Sequence, residues 1–218
     1  MRLIGLYGGT FDPIHLAHLR VAEEVAEQLA LDEVRFVPAA RPNLRGEPSA
    51  TPAQRARMVA LAIAGNPKFA LERCELDRPG VSYTVDTLEY LRAGAGTQAA
   101  LVLILGADAF ARLPEWARWE RLPELAHIAV VARPGEDVAP ERWDAALARL
   151  WRERRADAPG ELAGEPAGRI VLAATRLLEI SASEIRERLA RGASVRYLLP
   201  DSVLDYIRSQ SLYLAGGR

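Results

Sequence analysis

The 218-residue sequence has a single cysteine, a single lysine and no long apolar run. The lone cysteine, Cys74, excludes an internal disulfide framework and a zinc site built from several cysteines, and it is typical of a reducing compartment. No stretch approaches the ~20 apolar residues that cross a bilayer. The apolar segment at the amino terminus is also too short for a signal peptide. We therefore predict a cytoplasmic protein with no membrane partner.

The sequence also lacks an excess of positive charge, since 28 Lys and Arg residues face 29 Asp and Glu residues. Proteins that bind nucleic-acid backbones rely on clustered Lys and Arg, which release counterions from the phosphates. We therefore expect no nucleic-acid partner, and we expect charge to act only locally. A chain of this length buries roughly 70 % of the surface that its unfolded form exposes, so one domain needs no disulfide or metal to stabilise it.

Apolar segments of strand length alternate with segments of helical period, a pattern typical of a parallel sheet with helices on both faces. The predicted strands are Leu3–Tyr7, Glu33–Pro38, Phe69–Leu76, Leu101–Leu105, His127–Val131 and Ile170–Ala173. The predicted helices are Leu19–Leu31, Pro52–Ala64, a segment from Thr84 to just before Gly94, Ala182–Ala190 and Pro200–Ser209. We predict a single α/β domain over residues 1–218, with a Rossmann-like core over 1–180 and a small helical part over 181–218.

One segment, residues 134–168, differs in composition and is rich in Gly, Pro, Glu and Arg. Within it, Pro140–Arg155 has a helical period that places four apolar residues on one face: Trp143, Leu147, Leu150 and Trp151. We expect this helix to lie on the domain with a solvated basic face, and a subunit contact in a homo-oligomer is the alternative. Asp157–Gly168 carries little that can pack and is expected to be a mobile loop.

The strongest chemical signal is the segment Gly8-Gly9-Thr10-Phe11-Asp12-Pro13-Ile14-His15-Leu16-Ala17-His18, directly after the first predicted strand. Its glycines allow a tight turn and a close approach of the backbone to a ligand. Pro13 keeps Asp12 extended, so the next helix begins only after it. A helix that starts at the carboxyl edge of a parallel sheet directs unsatisfied N–H groups and a positive dipole end at its ligand, which suits phosphate.

His15 and His18 are three residues apart and share one face of the first helical turn, so both rings can reach the same group. One alternative is a purely structural pair. A metal pair is the other, but no third His or Cys lies nearby and the supporting carboxylate of an HExxH site is missing, so we predict no metal held by the protein. Donation to phosphoryl oxygens fits best, because phosphoryl transfer needs positioning and positive charge where negative charge develops.

The segment contains neither G-x-x-x-x-G-K-[ST] nor G-x-G-x-x-G. It resembles the (H/T)xGH region of the nucleotidyltransferase superfamily, in the GGTFDPxHxxH form of bacterial nicotinate-nucleotide adenylyltransferases. Later segments follow the order and spacing of that family's SYTxxTL, GxD, tryptophan, RPG and ISSTxIR motifs. They are Ser82-Tyr83-Thr84 with Asp86-Thr87-Leu88, Gly106-Ala107-Asp108, Trp116, Arg133-Pro134-Gly135, and Ile180-Ser181-Ala182-Ser183-Glu184-Ile185-Arg186.

Two of these motifs indicate helix starts on physical grounds alone. Ser181 and Glu184 form an S-x-x-E capping box, which leaves Ser183 and Arg186 free to turn toward a phosphate. A helix cap alone explains Ser181 and Glu184 but not Arg186. Thr84 is predicted to cap the helix whose first turn contains Asp86, and the first amides of that helix can then receive a carboxylate such as that of nicotinate.

The remaining motif residues keep two interpretations each. Asp108 follows a strand, where it can accept ribose hydroxyls or simply cap a helix. Trp116 can stack on a pyridine ring or pack at the rim of the core. Arg133 follows a strand that is expected to be buried, and its guanidinium can bind the phosphate of a mononucleotide or form a surface ion pair.

The resemblance implies transfer of AMP from ATP to nicotinate mononucleotide, which yields nicotinate adenine dinucleotide and pyrophosphate in NAD biosynthesis, with Mg²⁺ carried mainly by ATP. The same transfer to nicotinamide mononucleotide or another phosphorylated acceptor is one alternative, and a non-catalytic adenylate-binding protein is another. Carried over by motif, the catalytic residues are His15, His18 and Arg186. The ATP-binding residues are Gly8, Gly9, Thr10, Phe11, Gly106, Asp108, Ile180 and Ser183 together with those three, and the acceptor-binding residues are Arg45, Tyr83, Thr84, Trp116 and Arg133.

This sequence departs from the family pattern at two places. Ala17 stands where the family usually has glycine, and its methyl group is expected to narrow the space next to the adenine. The loop after the second strand, often PPHK or PPHR in the family, reads Pro42-Asn43-Leu44-Arg45. Leu44 replaces the histidine, so any contact of that histidine is lost or moved, while Arg45 keeps the positive charge.

Overall fold

Six parallel strands form one sheet in a computed structural model, which describes residues 1–42, 47–132, 139–176 and 178–214. The strands are β1 (Arg2–Gly9), β2 (Glu33–Pro38), β3 (Phe69–Leu71), β4 (Ala99–Gly106), β5 (His127–Ala132) and β6 (Ile170–Ala174). Their order is β3-β2-β1-β4-β5-β6, and each neighbouring pair is parallel. Seven of the eight residues of β4 are buried, as expected for a strand with helices on both faces.

The helices are α1 (Leu16–Gln28), α2 (Pro52–Ile63), α3 (Thr84–Ala95), α4 (Ala107–Ala111), α5 (Leu122–Leu125), α6 (Ala145–Arg154), α7 (Ala182–Ala190) and α8 (Asp201–Ser209). Short 3₁₀ turns cover Leu113–Glu115, Trp119–Arg121, Pro140–Arg142 and Pro159–Gly164. Local chemistry explains the predicted starts: at α2, Thr51 Oγ1 accepts from Gln54 N at 3.3 Å, and Pro52 takes the first helical position. None of the helices in the described ranges is long and apolar enough to span a bilayer.

Apolar side chains cover both faces of the sheet. One cluster packs α1, α2, α7 and α8 on one face, with Val25, Met58 and Ile207 almost fully buried. A second cluster packs α3 to α6 on the other face, around Leu88 and Phe110. The helices at the carboxyl end of the chain therefore share the cluster that contains α1 and α2. The division at residue 180 stays a prediction.

The strand order creates a crevice at the carboxyl ends of β1 and β4. The chain runs outward from β1 through β2 to β3, then returns to place β4 on the other side of β1. The helices that follow β1 and β4 therefore lie on opposite faces of the sheet, and ligands of doubly wound sheets bind where the strand order reverses in this way. The predicted Rossmann-like fold is confirmed, and the switch point lies at Gly9 and Gly106.

Several boundaries differ from the prediction. β3 ends at Leu71 rather than Leu76, because the chain leaves the sheet after Glu72 N donates to Phe36 O and turns with Leu76 N donating to Arg73 O. α1 begins at Leu16, three residues before the predicted start, since the extended backbone of His15 already serves as its N-cap.

The segment over residues 157–168 is anchored to the sheet at a few points, although most of its residues are exposed, in line with the prediction that it carries little that can pack. Its mobility stays a prediction. It forms the 3₁₀ turn Pro159–Gly164, and Leu162 is fully buried. Its backbone carbonyls are also used: Pro166 O accepts from Leu101 N and from the Arg92 guanidinium, and Glu165 O bonds the His127 ring.

The helix predicted over Pro140–Arg155 forms as a 3₁₀ turn followed by α6. Its apolar face packs on its own domain, where Trp143 and Trp151 meet edge to face at 5.6 Å between ring centroids. The first of the two predicted arrangements is therefore correct, and this apolar face is covered by the chain itself.

Candidate active site

The turn after β1 is tightly packed at Gly9 and open at Gly8. A Cβ on Gly9 would lie 2.9 Å from the Phe11 ring, whereas one on Gly8 would meet no described atom within 4 Å. Phe11 is buried and adopts a φ of 50°, which aromatic residues rarely do. Gly9 is thus required by the ring beneath it, while Gly8 leaves room for a ligand.

The two predicted histidines lie stacked at the start of α1. Their ring centroids are 3.7 Å apart with 31° between the planes. His15 N donates to His18 Nδ1 at 3.3 Å. Because that nitrogen accepts, a neutral His18 carries its hydrogen on Nε2, which makes Nε2 the donor of the ring. The spacing of three residues therefore brings both imidazoles to one place, as predicted.

His15 is an almost fully buried imidazole that keeps an unused polar atom. It is 5 % exposed, and its Nδ1 has no hydrogen-bond partner among the described residues. Burial lowers the pKa of His15 to about 4, so the ring is neutral near pH 7 and acts as a hydrogen-bonding group rather than a cation. Buried polar atoms without partners are rare and costly, so an atom of this kind beside a cavity indicates a place for a ligand.

The lowered pKa of His15 makes a prediction about acid stability. The unfolded chain binds this proton near pH 6.5 and the folded chain only near pH 4, so stability is lost as the pH falls through that window. We expect His15 to account for up to roughly 3 kcal/mol of that loss. Urea unfolding of wild type and His15→Asn at pH 7.5 and pH 4.5 measures it, since Asn retains an N-cap but does not titrate. Equal acid sensitivity of the two proteins would contradict the assignment.

The start of α7 contributes a second set of donors. Ser181 Oγ accepts from Glu184 N at 3.1 Å, which confirms the Ser181 half of the predicted capping box. Arg186 Nη1 donates to Asp12 O at 2.7 Å, and Nη2 donates to Ser183 Oγ at 3.3 Å. The guanidinium is therefore held against the backbone of the glycine turn, although the two segments are far apart in the chain.

The start of α3 forms the opposite end of the site. Tyr83, with extended backbone, is the N-cap, and Thr84 is the first helical residue. The prediction that Thr84 caps the helix is wrong by one position, because the cap is Tyr83 and Thr84 already belongs to the helix. Thr84 instead contributes its backbone N–H, one of the donors that a helix start leaves without an intrahelical acceptor. Ser82 holds this start in place, since its Oγ accepts from Ala40 N at 3.1 Å.

The loop that carries Trp116 is tied to the same helix. Arg118 has a φ of 52° and forms an ion pair with Asp86 in the first turn of α3. Arg121 pairs with Glu89 one turn later, at 2.9 Å. Exposed ion pairs of this kind contribute little stability individually. They nevertheless connect this loop to α3, and the half-buried Trp116 lines the same cavity as Tyr83.

A cavity of about 790 Å³ joins these groups. Its volume falls in the range of roughly 300–1,000 Å³ that is typical of small-molecule sites. Its lining includes most of the predicted site residues, namely Gly8, Gly9, Thr10, Phe11, His15, His18, Tyr83, Thr84, Gly106, Trp116, Ile180, Ser183 and Arg186. Imidazole, guanidinium and aromatic groups that line one cavity suit a ligand that carries both phosphate and a flat ring.

Comparison with known proteins agrees with this arrangement. The family model described as Cytidylyltransferase-like matches residues 6–188. A relative from Dechloromonas aromatica (strain RCB), named "Probable nicotinate-nucleotide adenylyltransferase", is 51 % identical over 96 % of this chain and 97 % of its own. A relative of the same name from Halorhodospira halophila (strain DSM 244 / SL1) is 50 % identical over 98 % of this chain and 96 % of its own. This chain belongs to the nicotinate-nucleotide adenylyltransferase family.

The fold of this nicotinate-nucleotide adenylyltransferase family member also has a solved counterpart. The Plasmodium falciparum nicotinic acid mononucleotide adenylyltransferase complexed with NaAD superimposes with a TM-score of 0.72. The two chains are 19 % identical, and the match covers 98 % of each. The shared fold therefore extends over almost the whole chain despite the low identity.

Three residues predicted from the adenylyltransferase motifs are not placed in this cavity, one because it lies elsewhere and two because they lie outside the described residues. Asp108 lies exposed in the first turn of α4, whereas Gly106 and Ala109 line the cavity on either side of it. Arg45, with the substituted Leu44, and Arg133 lie outside the described residues, so their roles stay predictions. The effect of Ala17 on the adenine space likewise stays a prediction.

Sequence reasoning missed three buried polar residues of the site. Asp12 lines the cavity beneath the turn, Arg55 is fully buried on α2, and Glu75 accepts from Thr87 Oγ1 at 2.7 Å. Burial raises the pKa of Glu75. A signal for Arg55 was available, because it precedes Met58 by three residues on the apolar face of α2. A charged residue at such a position indicates a buried polar network.

Proposed function

We propose that this adenylyltransferase transfers the AMP group of ATP to nicotinate mononucleotide, yielding nicotinate adenine dinucleotide and pyrophosphate in NAD biosynthesis. The observation that carries the proposal is the single cavity that joins the His15–His18 stack to the amino end of α3. One end supplies hydrogen-bond donors for phosphate, and the other supplies a helix start and aromatic rings for a charged pyridine. The single cysteine supports a cytoplasmic location.

The reaction is an in-line displacement at the α-phosphorus of ATP. A phosphate oxygen of the mononucleotide forms the new P–O bond, and the bond from the α-phosphorus to the bridging oxygen of pyrophosphate breaks. The attacking phosphate is already ionised at neutral pH, so the reaction needs neither a general base nor a covalent enzyme intermediate. Catalysis then consists of holding the two phosphates in line and stabilising the charge that moves onto pyrophosphate.

The histidines and α7 supply that stabilisation in this proposal. His18 donates from Nε2, and the neutral His15 donates or accepts without adding a charge. The backbone N–H groups of Gly9 and Thr10 and the positive dipole end of α1 face the same phosphates. Arg186 and Ser183, already linked to each other at 3.3 Å, would hold the departing pyrophosphate.

Magnesium is expected to enter with ATP as part of the substrate. Within the described residues, no three His, Cys, Asp or Glu side chains come together in a way that could hold a metal ion. The buried Asp12 carboxylate already accepts from Ser49 N and from the Tyr213 hydroxyl. The described residues thus fit a Mg²⁺ ion that would enter with ATP and keep much of its hydration shell. Such an ion would neutralise phosphate charge.

On the acceptor side, the Thr84 N–H would bind the nicotinate carboxylate. Tyr83 and Trp116 offer planes for the pyridine ring. Arg133 and Arg45, carried over from the motifs, would bind the mononucleotide phosphate. A nicotinamide has no negative charge to place at the positive end of α3, so this arrangement favours nicotinate.

Pyrophosphate release with MgATP and each of the two mononucleotides tests the proposal. We expect kcat/KM for nicotinate mononucleotide to exceed that for nicotinamide mononucleotide about ten-fold or more, the loss typical of a missing charge-assisted hydrogen bond. A preference for nicotinamide would overturn the placement of the carboxylate. Absence of pyrophosphate release with any acceptor would favour an adenylate-binding protein.

Thr84→Pro sharpens this test, because proline removes the N–H yet suits the first position of a helix. The extended backbone of Tyr83 accommodates a following proline. The variant should lose most of the preference for nicotinate, whereas Thr84→Ala should keep it. Asp201→Pro, at the first position of α8, is the matched control and should behave like wild type in the assay.

A further inference from the structure

The residues that follow α8 return to the glycine turn. Ser211 and Tyr213 adopt positive φ values of 50° and 63°, which residues with side chains rarely do, so surrounding contacts must hold this bend. Leu212 and Tyr213 pack against the cluster beneath α1 and α2. The Tyr213 hydroxyl then donates to Asp12 Oδ1 at 2.7 Å, across 201 residues of sequence.

Asp12 links this carboxyl-terminal segment to two other parts of the structure, the segment before α2 and Arg186 on α7. Asp12 is 5 % exposed, and its carboxylate also accepts from Ser49 N at 2.7 Å and from Ala50 N at 3.1 Å, in the segment before α2. Its backbone oxygen accepts from Arg186 at 2.7 Å. The position of the Arg186 guanidinium therefore depends on where the backbone of Asp12 lies.

Arg55 holds the same turn from below. Its fully buried guanidinium donates to Thr10 O at 2.7 Å, to Ala40 O at 3.1 Å and to Ala50 O at 3.2 Å. Asp12 is the nearby opposite charge that offsets part of the cost of burying this cation. The turn that leads to His15 is thus attached to α2 through Arg55 and to the end of the chain through Tyr213.

We infer that Tyr213 is a positioning residue for adenylyl transfer, acting through Asp12 on the turn that carries the phosphate donors and on Arg186. This inference rests on the proposed function. Tyr213 is not part of the cavity lining, so it acts without touching a substrate. Misplacing aligned phosphates by about an ångström is enough to slow such reactions strongly.

Tyr213→Phe removes the hydroxyl and keeps the ring in the core. We expect kcat/KM for ATP to fall about ten-fold and ATP affinity measured by calorimetry to fall as well, while KM for nicotinate mononucleotide stays within about two-fold. Tyr197→Phe, at a tyrosine that is 78 % exposed, is the matched control and should equal wild type. Circular dichroism at the assay temperature confirms that each variant is folded.

Asp12→Asn tests the route of the effect. If Tyr213 acts through Asp12, the double variant should be no slower than Asp12→Asn alone, whereas independent effects would multiply. The inference is overturned if Tyr213→Phe has the kinetics of wild type, or if it changes KM for ATP and KM for nicotinate mononucleotide equally. It is also overturned if the rate losses of Tyr213→Phe and Asp12→Asn multiply in the double variant. Wild-type protein that binds ATP but forms no dinucleotide would refute the proposed function instead, and the calorimetric comparison would still decide the role of Tyr213.

Discussion

Replacing His18 with alanine is expected to lower kcat by roughly 100-fold or more, the loss typical of removing one donor to a developing negative charge. His18 Nδ1 accepts from His15 N, so Nε2 is the ring nitrogen that donates to the phosphates under the proposed function. The alanine variant loses both interactions, and a slow enzyme could then reflect a disturbed helix start rather than a missing donor.

Two conservative variants separate these effects. His18→Asn keeps an acceptor near the position of Nδ1 and removes the distant donor, so it should fold like wild type and remain as slow as the alanine variant. His18→Gln places an N–H near the position of Nε2 and should recover part of the rate. Steady-state kinetics with saturating MgATP and nicotinate mononucleotide measures kcat. Turnover near the wild-type value in His18→Ala would assign the ring a structural role only.

Replacing Arg55 with methionine is expected to lower the free energy of unfolding by about 3–5 kcal/mol, the range for breaking a buried charged network by removing one member. The substitution leaves the carbonyls of Thr10, Ala40 and Ala50 without the donors that now bind them. It also leaves the buried Asp12 carboxylate with Arg186 but without the second cation near it, Arg55. Arg55 is fully buried, and this burial lowers the pKa of its guanidinium.

Urea unfolding at pH 7.5 measures this loss, and Arg57→Met is the matched control. Arg57 lies two residues further along the same helix and is exposed, so the same substitution there should change stability by less than about 0.5 kcal/mol. A similar small change in Arg55→Met would show that the carbonyls find other partners and that the network contributes little to folding.

Parts of the site that depend on neighbours in the chain were predictable. The spacing of His15 and His18 specifies one helical face, and Ser181 with Glu184 specifies a cap, and both arrangements are present. The prediction at Thr84 was wrong by one position. Tyr83 and Thr84 can both begin a helix locally, and the contact of Ser82 with the loop after β2 decides between them.

The sequence by itself determined the strand and helix pattern, the glycine turn after β1 and the family, because periodicity, glycine and capping residues act over a few positions. Only the tertiary structure decided that Arg55, Asp12 and Tyr213 meet beneath that turn and that Leu162 anchors the exposed segment over residues 157–168. Hydrogen bonds between residues as distant as Asp12 and Tyr213 leave no periodic trace in the sequence. They form because a polar group that the fold buries must find its partner among whichever segments the packing brings next to it.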